Sequence, residues 1–173
     1  RWHPWRGATI RRDLCAVEPA LTLPHTKALV PDQGLRWRTS VTPQDGLVYA
    51  MVLVSAADRN MTDLELERLR GLVERLPIFK RYGQNKLADA AEACAKLLSG
   101  KNGLDRTLAA IKKGVPKRLA TTAYALACDI AAAEGKVKIE EMQLLDLLAD
   151  TLDINRLEQE AIHFAAGARY RKA

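Results

Sequence analysis

The sequence predicts an all-α fold, a bundle of about seven helices with an internal pseudo-twofold repeat of helical hairpins. Three observations point there. Hydrophobic residues make up 48% of the 173-residue chain but aromatics only 5%, so alanine and leucine carry the apolar load, a balance that suits helices packed through small side chains. Apolar residues recur at three- and four-residue spacing through most of the chain after residue 40. One stretch also occurs twice, displaced by about 75 residues. Tyr49 to Pro77 reads YAMVLVSAADRNMTDLELERLRGLVERLP and Tyr124 to Asp153 reads YALACDIAAAEGKVKIEEMQLLDLLADTLD, each an apolar helix, an acidic turn and an amphipathic helix.

The first helix is expected over 43–57: Thr42 suits the N-cap, Pro43 the first helical position, and Asp45 complements the helix dipole in the first turn. It is apolar on nearly every side and therefore central. Thr62-Asp63-Leu64-Glu65 has the form of a capping box and opens a second helix with Leu69, Leu72, Val73 and Leu76 on one face before Pro77. A third helix is expected over 84–99, with Leu87, Ala91, Cys94 and Leu98 in register, and a fourth over 104–114, with Leu104, Leu108, Ile111 and Val115 in a row. Pro116 introduces the fifth, over 117–134, again apolar nearly all round and closed by Gly135, a residue free to take the positive φ of a helix end. The sixth, over 139–152, aligns Met142, Leu145, Leu148 and Leu152; the seventh, over 155–171, ends in basic residues that suit the dipole.

Residues 1–40 show neither helical period nor alternation, hold all three tryptophans, and carry seven Lys+Arg against three acids. The chain begins with Arg, so this basic, Trp- and Pro-containing arm is read as a disordered or non-native extension preceding a domain over 41–173. A nucleic-acid-binding arm or a short docking segment are the alternatives. The net charge of +6 lies mostly there, leaving the helical part close to neutral. Cys15, Cys94 and Cys128 form no CxxC pair, which argues against a disulfide framework or zinc ribbon and for a reducing cytoplasm. The runs Leu47 to Ala57 and Leu119 to Ala133 are too short to span a bilayer, and no signal-peptide pattern is present.

Function is sought in the repeated turns. Allowing one extra residue before the second turn, Asp58 aligns with Glu134 and Glu65 with Glu141. Carboxylates suit hard cations that take oxygen ligands, so Asp58, Glu65, Glu134 and Glu141 are candidate metal ligands for a divalent cation, Ca²⁺ first, with Mg²⁺ and Mn²⁺ behind it. These turns are not EF-hand loops: Leu69 or Leu145 stands where a bidentate Glu is needed. Each acid has a structural reading too. Glu65 completes a capping box with Thr62, whereas Lys138 at the corresponding position cannot accept an N–H bond, leaving Glu140 and Glu141 a dipole role. Asp129 is the lone charge in the fifth helix; it faces solvent, meets an Arg or Lys, or joins the metal site.

Other patterns are weaker. Glu160-Ala161-Ile162-His163 matches half of a di-iron motif without its second half. Lys112, Lys113, Lys117 and Arg118 gather at a helix junction that is either solvated or a phosphate contact, and they carry the alternative reading of a nucleic-acid-binding module. A purely structural interaction bundle is a third. No Walker loop, GxGxxG, nucleophile elbow or HExxH is present, so an enzyme is not expected.

At SAADRNMTDLELERL and IAAAEGKVKIEEMQLL the chain resembles the tellurite-resistance TerB family, in the alphaproteobacterial form, over about residues 41–173. The family signature is an apolar helix, an Ala-Asp-Gly turn and a Glu some seven residues on, repeated in an all-helical pseudo-symmetric domain. The resemblance implies a non-enzymatic, cation-binding adaptor of bacterial tellurite and stress response, cytoplasmic or peripheral at the inner membrane, with other proteins of a stress-response assembly as partners and nucleic acid not among them. The matching positions are Asp58 and Glu65, then Glu134 and Glu141. Arg59 stands where the family has the turn Gly, and Glu134 where it has Asp.

Overall fold

A computed structural model of the chain describes residues 41–58, 63–133, 135 and 137–171. The arm over 1–40 lies outside these, as do Thr62 and Glu134. Within them the protein is all-helical, with seven α-helices: α1 Pro43–Ser55, α2 Asp63–Arg75, α3 Gln84–Leu98, α4 Gly103–Gly114, α5 Ala120–Ala132, α6 Ile139–Thr151 and α7 Arg156–Arg169. Single 3₁₀ turns at Ala56–Asp58, Pro77–Phe79 and Lys117–Leu119 join them.

α1 is the hub. Gly46 through Ser55 are all buried, because its four sides meet α5, α3, α4 and α6. A helix with no solvent face cannot be amphipathic, and the all-round apolar run from Leu47 to Val54 meets that requirement. Its start is fixed reciprocally: Thr42 Oγ1 accepts the Asp45 N–H at 3.2 Å, and the Asp45 carboxylate accepts the Thr42 N–H at 3.0 Å. Asp45 also accepts the Tyr82 hydroxyl at 2.6 Å, which ties the loop before α3 to the head of α1. Close approach to α4 depends on Gly46, where a Cβ would lie 2.8 Å from Val115 Cγ2, and on Gly114, where one would lie 2.7 Å from Val41 Cγ1.

α5 is the second central helix, packed against α1, α7, α6 and α2. Ala123, Ala127 and Ala131 recur along it at four-residue intervals, all buried, and small side chains there let neighbouring backbones approach. It ends at Ala132, and Gly135 takes φ +84° while its N–H reaches the Ala132 carbonyl at 2.9 Å. The outer helices each turn a narrower stripe inward: Leu69 and Val73 from α2, Leu87, Ala90 and Cys94 from α3, Ile111 from α4, and Leu145, Leu148 and Ala149 from α6. Each fully buried Leu or Ile contributes about 1.5–3 kcal/mol of apolar transfer free energy. Buried hydroxyls turn back onto their own helix, Ser55 to the Met51 carbonyl and Thr107 to the Gly103 carbonyl, so neither is left without a partner. No described helix is long and apolar enough to cross a membrane.

Candidate cation site

α1 runs directly into the Ala56–Asp58 turn, and α6 packs against both α1 and that turn. α2, which follows the first turn, lies against α5, whose end begins the second.

Glu65 and Glu141 occupy the same place in their helices, the third residue of α2 and of α6. Both are almost fully buried, at 4% and 5% exposure. That is unusual for glutamate, whose charge loses its hydration unless hydrogen bonds or cations replace it. At Glu141 one such replacement is explicit: Oε2 accepts the Lys138 backbone N–H at 2.8 Å. This corrects the expectation that Glu141 has a dipole role alone. Lys138 cannot serve as the forward half of a capping box, but the return half needs only its backbone N–H, which any residue other than proline supplies. The side chain of Asp58 and all of Glu134 lie outside what the structure describes, as does the Thr62 half of the box at Glu65. Among the described residues, no three His, Cys, Asp or Glu side chains gather as a metal-binding group. Carboxylate oxygens such as those of Glu65 and Glu141 are of the type that suits hard cations best.

Asp129 takes the second of its three anticipated fates. Its carboxylate pairs with the Arg169 guanidinium at the end of α7, and its side chain is only 14% exposed against 50% for the arginine. Arg75 and Arg68 also place positive charge near the adjacent Tyr170. Asp129 therefore has a cation of its own in Arg169, and the pair ties α5 to α7.

His163, the histidine of the half di-iron motif, faces Tyr124 instead of a metal group, with Nε2 at 2.7 Å from the tyrosine hydroxyl. Burial pushes its pKa down, and Glu160 opposes that only in part. Tyr124 is fully buried and its hydroxyl is pushed well up, first by desolvation. Sequence reasoning missed this pair; the available signal was a polar ring on the inward face of α7 opposite the lone tyrosine of α5.

The basic cluster lies at the surface. Lys112, Lys113, Lys117 and Arg118 are all exposed, and Lys112 approaches Asp153 at 3.6 Å. An exposed pair of this kind contributes at most about 1 kcal/mol.

No curated protein and no solved structure matches the chain. A family model described as tellurite resistance protein TerB matches residues 44–163, from the head of α1 to His163 in α7. That span takes in both central helices, both turns and both buried glutamates, so the chain belongs to the TerB family of tellurite resistance proteins.

Proposed function

We propose that this TerB-family protein is a non-enzymatic, cation-responsive adaptor in which Asp58 with Glu65, and Glu134 with Glu141, hold a divalent cation of the Ca²⁺ class. The observation that carries this reading is the burial of two glutamates at equivalent positions of α2 and α6, beside turns that bear a further acid each. Ca²⁺ takes six to eight oxygens, so backbone carbonyls and water complete the shell beyond the four carboxylates. Asp129 is left out of the ligand set because Arg169 already neutralises it. Cation binding offsets the mutual repulsion of the acids and orders the ends of α1 and α5 against α6 and α2. The surface so ordered is what partner proteins of a stress-response assembly, in the cytoplasm or at the inner membrane face, would read.

The test is thermal unfolding in chelator and then in millimolar Ca²⁺, Mg²⁺ and Mn²⁺. A cation at 100 times its dissociation constant stabilises by about 2.7 kcal/mol, a rise of roughly 8–12 °C for a domain of this size. The rise is expected to vanish in Glu134→Ala/Glu141→Ala. Because Glu141 also accepts the Lys138 N–H, Glu141→Gln is the informative single variant: its amide oxygen keeps that bond while the charge is lost. It should retain the chelator-state melting temperature and lose most of the cation response. A melting temperature unmoved by all three cations would remove the metal reading and leave Glu65 and Glu141 as structural caps.

A further inference from the structure

We infer that the face shared by α2, α5 and α7 is an oxyanion site of the phosphate class, built from Arg68, Arg75 and Arg169. The observation that carries it is an arginine without an acceptor. Nη1 of Arg68 is covered by protein, and among the described residues nothing accepts a hydrogen bond from it, Glu65 one turn earlier and Asp129 included. A guanidinium stays protonated at any physiological pH and loses its hydration where it is covered, so an orphaned N–H there calls for an acceptor.

The neighbours of Arg68 add cations where an acid would be expected. Arg68 and Arg75 are seven residues apart on α2, hence on one face of a helix that packs against α5. Arg75 is held by its own helix, its Nε donating to the Gly71 carbonyl at 2.8 Å. That bond turns the guanidinium back along α2 toward Arg68. Gly71 leaves room for it, since a Cβ there would lie 3.2 Å from Arg75 Nη2. From the other side Arg169 of α7 reaches Asp129 of α5. Arg75 and Arg169 are exposed, so the site opens to solvent, with Arg68 at its covered end. Half-buried Tyr170 feels all three arginines and Asp129. Of those four charges, three positive less one negative leave an excess of two. That excess, and the fork of N–H donors on each guanidinium, match a doubly charged tetrahedral oxyanion better than a single carboxylate. A phosphate, free or as a monoester, bound across Arg68 and Arg75 supplies the missing acceptor and relieves the repulsion among the cations. The site is separate from the carboxylates of the cation reading and does not depend on it.

Isothermal titration of the whole chain with sodium phosphate, in chelator and at ionic strength held constant with sodium chloride, tests this. Saturable binding is expected for phosphate and for sulfate, which shares its shape and charge. Phenyl phosphate run alongside distinguishes the sources: tighter binding than inorganic phosphate assigns the site to a monoester, weaker binding to the free ion. Arg68→Gln should weaken phosphate about tenfold or more, the loss expected for a charge-assisted hydrogen bond, and Arg75→Gln should weaken it too. Thermal unfolding separates a ligand site from a structural contact. An arginine without an acceptor does not hold the fold, so Arg68→Gln should keep or raise the phosphate-free melting temperature and lose only the rise that phosphate gives the wild type. Absence of saturable binding, or binding indifferent to both substitutions, would overturn the proposal and leave Nη1 to a bridging water. A phosphate-free melting temperature that falls in Arg68→Gln while the phosphate rise persists would overturn it as well, making Arg68 a structural contact.

Discussion

At Gly103 the backbone between α3 and α4 turns so tightly that a Cβ would lie 1.9 Å from the Leu98 carbonyl oxygen and 2.9 Å from that of Leu97. Backbone cannot yield as a side-chain tip can, so Gly103→Ala must displace the end of α3 or the start of α4. It is expected to cost about 2–4 kcal/mol, read as a lower denaturation midpoint at unchanged slope. His163 gives a pH dependence whose sign follows from its surroundings. Its folded-state pKa lies below the unfolded value, so between the two the unfolded chain binds a proton that the folded chain refuses. The neutral-His contribution is thus complete above the unfolded pKa near 6.5 and is lost as pH falls below it. Melting temperatures between pH 7.5 and 5 should decline, and the decline should be shallower in His163→Gln, which cannot take up that proton. A slope identical in both proteins would mean that other groups govern the acid limb.

Contiguous helices were largely legible because their determinants are local. Pro43 after Thr42, the glycine at 135 and the periodic leucines fix where α1, α5 and α6 start and stop, and the ends fall within a few residues of expectation. Where they differ, as at Ala56–Asp58 and Lys117–Leu119, a tight 3₁₀ turn replaces the last or first α turn. What local spacing cannot carry is pairing across the bundle: Asp129 with Arg169, Tyr124 with His163 and Tyr82 with Asp45 join residues 37 to 40 apart. For the same reason the turn carboxylates could be picked out as a set, while the depth of Glu65 and Glu141 had to come from tertiary packing. α6 offers a direct test of which face matters, since its adjacent residues Leu147 and Leu148 are 41% and 0% exposed. Leu148→Ala leaves a cavity among α6's packing neighbours and should cost about 2–5 kcal/mol, whereas Leu147→Ala should stay within about 1 kcal/mol. Urea unfolding of the two variants checks this; equal losses would mean that α6 is rotated from its described register.

Whether the bundle opens as one unit can be read from its two buried thiols, which sit on different helices. Cys94 of α3 is fully buried and points at the Tyr49 carbonyl of α1, with Sγ at 3.8 Å. Cys128 of α5 is fully buried beside the ion pair that joins α5 to α7. Burial pushes the Cys94 thiol up to about 12, and Cys128 is also raised, first by burial and then by the neighbouring Asp129. The thiolate is the reactive form, so each residue is protected twice over, by exclusion of the reagent and by a vanishing thiolate fraction. In a Cys15→Ser background, which removes the thiol of the arm, neither cysteine should react with an aromatic disulfide reagent under native conditions, and both should react in strong denaturant. At intermediate urea the two rates distinguish global from partial opening. If the bundle opens only as one unit, both rates should track the global unfolding free energy and rise with the same urea dependence, because no smaller motion exposes either thiol. Should Cys128 react faster and with a shallower urea dependence, α7 lifts from α5 in a smaller opening that leaves the α1–α3 contact intact. Arg169→Ala should then accelerate Cys128 alone, since it removes the tie to Asp129 and touches nothing near Cys94.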